Sequence, residues 1–185
     1  MLRAVTNRDF PMLRQSLKSL FGMELDYDPS LKVSGKLGLY RMNFSSDPHG
    51  RLRILFIDNT RDLSWGFSRD ADVTGRSNPH AKIAMIAVPD EVTPVTEKCR
   101  LKTGTIDGFL LVVTLHELYE VITGDFDHCD NPCTCINSEC EYFDVGTCSA
   151  CMGALIDEKF PDLKLEDIYC PEHLRNLKRA LKKWN

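Results

Sequence analysis

Residues 104–124 read GTIDGFLLVVTLHELYEVITG, and this stretch decides the fold. Polar residues at its start, Thr105 and Asp107, are typical of a helix N-terminus, and Gly124 is the residue best suited to end a helix. Between them lies an almost unbroken apolar run from Phe109 to Leu115. The pattern predicts a helix near 104–123 that is buried on most sides rather than along one stripe.

The end of this helix carries residues that suit a metal. His116 and Glu120 are four apart, so they lie one above the other on the same helix face. In zinc-peptidase helices the two ligands at this spacing are both His, the Glu after the first one is the general base, and a third ligand follows a glycine turn. Here Glu117 has the position of the base and His128 that of the third ligand, but Glu120 replaces the second His. The alternative is an incidental His-Glu pair on a buried helix.

Cysteines crowd into the last third of the chain. Seven of the eight follow the helix: Cys129, Cys133, Cys135, Cys140, Cys148, Cys151 and Cys170. The N-terminus lacks the apolar run of a secretion signal, so a reducing cytoplasm is expected, where clustered cysteines are more often metal ligands than disulfides. The pairs Cys148/Cys151 and Cys170/His173 have the two-residue spacing of zinc knuckles. Reduced structural thiols and disulfides are the alternatives.

Together these residues resemble the archaemetzincins, zinc peptidases of the metzincin clan. Their pattern is HExxHxxGxxHC, a short spacer, CxM, seventeen residues and CxxC. In this chain residues 153–169 provide the seventeen-residue spacer between Met152 and Cys170. The resemblance implies a metzincin-like domain with zinc as cofactor, Met152 in the turn below the metal, and residues 81–89 as the strand along the cleft that aligns a peptide.

The chain also departs from that pattern. Besides Glu120, two extra residues lie between His116 and His128, and His173 replaces the last cysteine. About twenty residues separate Cys129 from Cys151, where the family has a short spacer. The simplest assignment is two zinc sites, although the sequence leaves the pairing open. One consists of Cys129, Cys151, Cys170 and His173, and the other of Cys133, Cys135, Cys140 and Cys148.

Length and composition predict one α/β domain. The chain has 185 residues, 43% of them apolar, and a net charge of -4. Within a single domain 1–185 we expect an α/β core in 1–128, a zinc-knuckle region in 129–173 and a docked terminal helix in 174–184. The acidic balance gives no reason to expect nucleic acid as a partner, no stretch has the length of a membrane span, and a monomer is expected.

Periodicity gives a coarse map of a mixed, twisted sheet with flanking helices. Strands are predicted for 2–5, 23–27, 51–58 and 81–88, and a helix for 9–21 that ends at Gly22. The segment between the last two strands is predicted to be a polar loop.

Two functions follow from these observations. In the first, His116, Glu120 and His128 hold a zinc, Glu117 takes a proton from water, and the substrate is a peptide or unfolded polypeptide. In the second, the protein is a catalytically inactive peptide-binding or structural homologue that retains only the cysteine zinc sites.

Overall fold

The computed structural model describes residues 2–31, 45–57, 75–88, 105–130, 135–138 and 149–184, with the side chains of 149–151 left out. Its elements in chain order are β1 (Arg3–Thr6), α1 (Pro11–Phe21), β2 (Glu24–Tyr27), β3 (Leu52–Ile57), β4 (Gly75–Asn78), β5 (Ile83–Ala87), α2 (Ile106–Thr123), α3 (Ser149–Lys159), α4 (Leu165–Ile168) and α5 (Pro171–Trp184).

The five strands form one mixed sheet in the order β2-β1-β3-β5-β4. The first four strands of that order are parallel, and β4 is antiparallel to β5. All residues of β3 and β5 are buried, as expected for central strands of a parallel sheet that is covered on both faces. The mixed α/β class is thereby confirmed.

The strand expected along the cleft in 81–89 lies inside the sheet, where it forms β5 (Ile83–Ala87), and residue 89 is outside the described residues. Within the sheet β5 pairs with β3 on one side and with β4 on the other, so it has no open side. Among the described residues β4 is the strand at that end of the sheet. This strand, GRSN, was missed because four polar or small residues give no alternating pattern, and pairing with β5 alone makes it a strand.

Helix α2 is the central helix of the domain. The Thr105 hydroxyl accepts a hydrogen bond from the Gly108 N–H (3.0 Å), and Gly124 ends the helix with a left-handed φ of 70°. The helix packs on β4 and β5 and against α1, α3 and α5. Contact on so many sides explains why its apolar residues cover most of its surface, and the predicted buried helix is confirmed.

Helix α5 packs against the end of α2, as expected for a docked terminal helix. Leu177 is fully buried, and the Trp184 indole N–H donates to the Ile122 carbonyl (3.1 Å). The helix begins at Pro171 rather than at 174, so His173 lies in its first turn. No helix in the described part of the chain has the length and apolar character that a membrane span requires.

Candidate metal centres

The first candidate centre lies at the end of α2. His116 Nε2 and Glu120 Oε1 are 3.4 Å apart, one helical turn from each other. After Gly124 the chain turns back and brings His128 beside them, with its ring stacked on that of His116 at a centroid distance of 5.3 Å and an angle of 11°. One ligand atom of each of the three residues lies within 4.8 Å of the others. The two extra residues before His128 therefore do not hold it away from the helix.

The His116 ring is oriented from its other nitrogen. Nδ1 lies 3.0 Å from the carbonyl oxygen of Ile136. A carbonyl only accepts hydrogen bonds, so Nδ1 carries a proton and donates it, and the Nε2 side is turned toward Glu120. A metal-binding His usually has such a backbone or carboxylate partner.

Contacts at this centre shift the pKa values of His116 and Glu120 in opposite directions. Burial by itself lowers the pKa of His116, but the hydrogen bond to Glu120 and the charges of Glu117 and Glu120 raise it to about 9. Burial acts to raise the pKa of Glu120, yet His116, the Ser77 hydroxyl and His128 lower it below its ordinary value. These contacts favour an imidazolium–carboxylate pair between His116 and Glu120.

The Glu117 carboxyl contacts both the Glu120 carboxyl and the edge strand β4. This carboxyl is buried and packs directly on Gly75, where a Cβ atom would lie only 2.3 Å from Glu117 Oε1. Burial raises the pKa of Glu117 to about 8, although the charge of His116 opposes the shift. The charge of Glu120 and a hydrogen bond between the two carboxyls add to the rise. The two acids thus share a proton near neutral pH.

The second candidate centre combines three cysteines and one histidine: Cys129, Cys135, Cys170 and His173. One donor atom of each lies within 4.8 Å of the others, and Cys135 and His173 are fully or almost fully buried. His173 Nδ1 lies 3.2 Å from Cys135 Sγ and 3.3 Å from Cys170 Sγ. On the other side of the ring, His173 Nε2 donates to the Asp127 carbonyl (3.2 Å), which leaves Nδ1 directed at the sulfurs.

The Cys135 sulfur has backbone hydrogen-bond donors that would stabilise a thiolate. It accepts backbone N–H hydrogen bonds from Cys170, at 3.3 Å, and from Asn137. Burial raises the pKa of Cys135 to about 12 despite these bonds, so without a cation the thiol keeps its proton. A bound metal ion deprotonates a coordinating thiol outright. Three soft sulfurs and one imidazole are a donor set typical of structural zinc sites, and the expected cofactor fits these donors.

The membership of this set differs from the pairing expected from the sequence. Cys135 takes the place assigned to Cys151, whose side chain lies outside the described residues. Cys133, Cys140 and Cys148 lie outside the described residues as well, so a second cysteine site stays a prediction. Cys135 has no zinc-knuckle spacing to Cys170 or His173, and only tertiary folding brings it to them.

Met152 lies in a helix instead of a turn. It occupies the first turn of α3 and is fully buried in the main apolar core, where it packs as an ordinary core residue. The role of Met152 below the metal ligands therefore stays a prediction.

Several residues at the two centres were not singled out from the sequence. Ser77 and Gly75 on β4 contact the two acids of α2, and Ile136 and Asp127 supply the carbonyls that orient the histidines. The Tyr119 ring lies edge-on to His173 at 5.1 Å. Backbone carbonyls have no signature in a sequence, and the contact of Gly75 with Glu117 depends on the pairing of β4 with β5.

Comparison with known proteins supports the fold. No family model and no curated protein matches the sequence. A zinc-dependent peptidase from Methanocorpusculum labreanum is similar in structure, with a TM-score of 0.51 and 12% identity over 96% of this chain and 100% of that chain. An archaemetzincin from Archaeoglobus fulgidus, solved with malonate, has a TM-score of 0.52 and 15% identity over 95% of this chain and 99% of that chain.

The likeness extends over nearly the whole of each chain and shows the fold. The protein therefore has the mixed α/β architecture of these zinc peptidases, and its Cys3His cluster fits zinc.

Proposed function

We propose that the protein is a zinc-dependent peptidase of the archaemetzincin type. The observation that carries the proposal is the convergence of His116, Glu120 and His128 beside the edge strand β4. Two His and one carboxylate are a ligand set found in catalytic zinc sites. Zinc held by these three residues would polarise a peptide carbonyl and lower the pKa of a bound water toward neutrality.

Glu117 has the place of the general base. It follows His116 in the chain, and its buried carboxyl is linked to that of Glu120. With its pKa raised to about 8, the Glu117 carboxyl is mostly protonated at neutral pH. A cation bound by the neighbouring ligands would favour the Glu117 carboxylate, which could accept a proton from water and return it to the leaving amine.

Strand β4 is the proposed site for the peptide. It is antiparallel to β5, and its outer side has no strand partner among the described residues. The Ser77 hydroxyl on β4 donates a hydrogen bond to the carboxylate of Glu120, which is 43 residues further along the chain. An extended peptide that adds to this edge through main-chain hydrogen bonds would thus run past the acids of α2. The substrate class is a peptide or an unfolded polypeptide.

A second candidate function rests on the carboxylate in the ligand set. Glu120 already has hydrogen bonds to His116 and Ser77, so the metal-free pair is internally compensated. A carboxylate ligand also makes zinc a weaker Lewis acid than a neutral imidazole would. The alternative is a peptide-binding homologue that keeps the cysteine zinc and has no catalytic metal.

Zinc stoichiometry and a matched pair of variants distinguish the two functions. Elemental analysis should show one zinc fewer per chain in His128→Ala than in the native protein. Glu117→Gln should keep the native zinc content but lose about 10²- to 10⁴-fold of activity on a denatured protein substrate. Asp107→Asn also converts a carboxylate to an amide, but at the far end of α2; it is the control and should keep activity. Equal zinc contents, or a native protein that binds the metal without cleaving, would favour the homologue without catalysis.

A further inference from the structure

The two candidate centres are joined by chain neighbours. Cys129, a ligand of the Cys3His centre, directly follows His128 of the other centre. Cys135, also a ligand, directly precedes Ile136, whose carbonyl accepts the Nδ1–H of His116 (3.0 Å). His128 is therefore the chain neighbour of one cysteine ligand. His116 is linked by one hydrogen bond to the chain neighbour of another.

The segment 135–138 is held by few but definite contacts. The Ile136 N–H donates to the Ile168 carbonyl (2.8 Å), and the Asn137 carbonyl accepts from the Cys129 N–H (3.0 Å). The Ser138 hydroxyl closes the turn by donating to the Cys135 carbonyl (2.8 Å). The side chain that attaches this turn to the cysteine centre is Cys135, so a metal bound there limits where the adjacent Ile136 carbonyl can lie.

That carbonyl decides how His116 faces the other ligands. Its hydrogen bond requires a proton on Nδ1 and directs Nε2 toward Glu120, 3.4 Å away. If the carbonyl moves, the ring loses the partner that selects this orientation, and a flip of the ring places a different nitrogen beside Glu120. Outer partners of this kind change metal affinity by about 10- to 100-fold when they are lost.

We propose that the Cys3His centre positions His116, and that the His116–Glu120–His128 centre reaches full metal affinity only after the Cys3His centre has filled. Cys135 and Ile136 are positioning residues in this scheme, since neither contacts the second metal. Soft thiolates bind zinc more tightly than a carboxylate–imidazole set, which gives the same order of filling. The inference deepens the proposed function, but the orientation of the His116 ring can be measured whether or not a second metal binds.

The Nδ1–H proton of His116 is the direct probe. In the native protein prepared without metal and titrated with zinc, the NMR signal of this proton, assigned by its loss in His116→Gln, should become protected from solvent exchange with the first equivalent. Cobalt(II) distinguishes cysteine ligation from binding at the His116 centre, because thiolate ligands give thiolate-to-metal charge-transfer absorption and His116, Glu120 and His128 do not. A signal that is protected before any metal is added, or only with the second equivalent, would overturn the proposal.

A matched pair of cysteine variants separates positioning from general loss of structure. Cys135→Ser and Cys170→Ser each remove one thiolate from the same centre, but only Cys135 adjoins the carbonyl that binds His116. At zinc concentrations that fill the cysteine centre of both variants, Cys135→Ser should weaken the second metal equivalent about 10- to 100-fold, and Cys170→Ser much less. Equal weakening in both variants, or none in Cys135→Ser, contradicts the proposal.

Two further outcomes have a clear meaning. If Cys135→Ser does not fold, the titration of the native protein decides by itself, because it uses no variant of the centre. If the native protein takes up no second metal but His116 is still protected with the first equivalent, the positioning is supported and the proposed peptidase function fails.

Discussion

Replacing Gly75 by Ala tests the contact between the edge strand and the proposed general base. A Cβ at this position would lie 2.3 Å from Glu117 Oε1 and 2.7 Å from Val113 Cγ1. Ordinary contact needs about 3.5 Å, so the Glu117 carboxyl or the strand must move by about 1 Å. Overpacking of this kind costs about 1–3 kcal/mol, of which about 0.4–1 kcal/mol is offset because Ala restricts the unfolded chain more than Gly does.

The cost should depend on the Glu117 side chain. In a Glu117→Ala background the contact at 2.3 Å is gone, whereas the one with Val113 remains. Urea unfolding of the zinc-saturated proteins should therefore show a smaller destabilisation by Gly75→Ala in that background, by about 1 kcal/mol or more. In the proposed peptidase the same substitution should lower kcat/KM by about 10²-fold with unchanged zinc content, because it displaces the base.

An equal loss of stability in both backgrounds would refute this reasoning. It would mean that Glu117 does not pack on β4 and that position 75 is a glycine for a different reason. Unchanged stability of Gly75→Ala in the native background would lead to the same conclusion.

Three other predictions follow from the structure. Burial acts to raise the pKa of Asp47, but hydrogen bonds from Arg51 and its backbone lower it from 3.8 to about 2; the resulting stability, about 2 kcal/mol, is complete above pH 3.8 and lost as the pH falls through 2. Asp47→Asn should therefore flatten the acid limb of the urea-unfolding profile, and an unchanged profile would contradict the assignment. Glu120→His should tighten the second zinc site in a calorimetric titration with the cysteine centre pre-filled, because a third imidazole replaces the carboxylate; no gain in affinity would mean that Glu120 is not the weak ligand. A chelator should expose the thiols of Cys129, Cys135 and Cys170 to alkylation, because these residues lie together with His173 as the donors of one metal site; thiols that react readily in the zinc-bound protein would oppose this.

Much of the fold could be read from the sequence because it is encoded locally. The apolar run of α2, its Thr105 cap and its Gly124 end are properties of neighbouring residues, and the helix appears where it was predicted. The spacing of His116 and Glu120 is likewise a local property, since four residues are one turn of a helix. Strong strands such as β3 and β5 carry enough apolar residues to be recognised alone, within one or two residues at their ends.

The remaining features depend on contacts between distant parts of the chain. Strand β4 is too short and polar to be recognised, and it exists because β5 offers it hydrogen bonds. Cys135 joins Cys170 and His173 across more than thirty residues, and no spacing rule links them. Which cysteine completes the centre was thus a question of three-dimensional distance.

By itself the sequence determined the α/β class, the buried helix and a supply of metal ligands after it, because local spacing and hydrophobic pattern are sufficient for these. Only the tertiary structure decided which strand borders the acids of α2, which cysteines meet, and how each histidine is oriented. The physical reason is that these outcomes depend on backbone carbonyls and amides, such as those of Ile136 and Asp127, which every residue possesses. Their effect depends on where the fold places them.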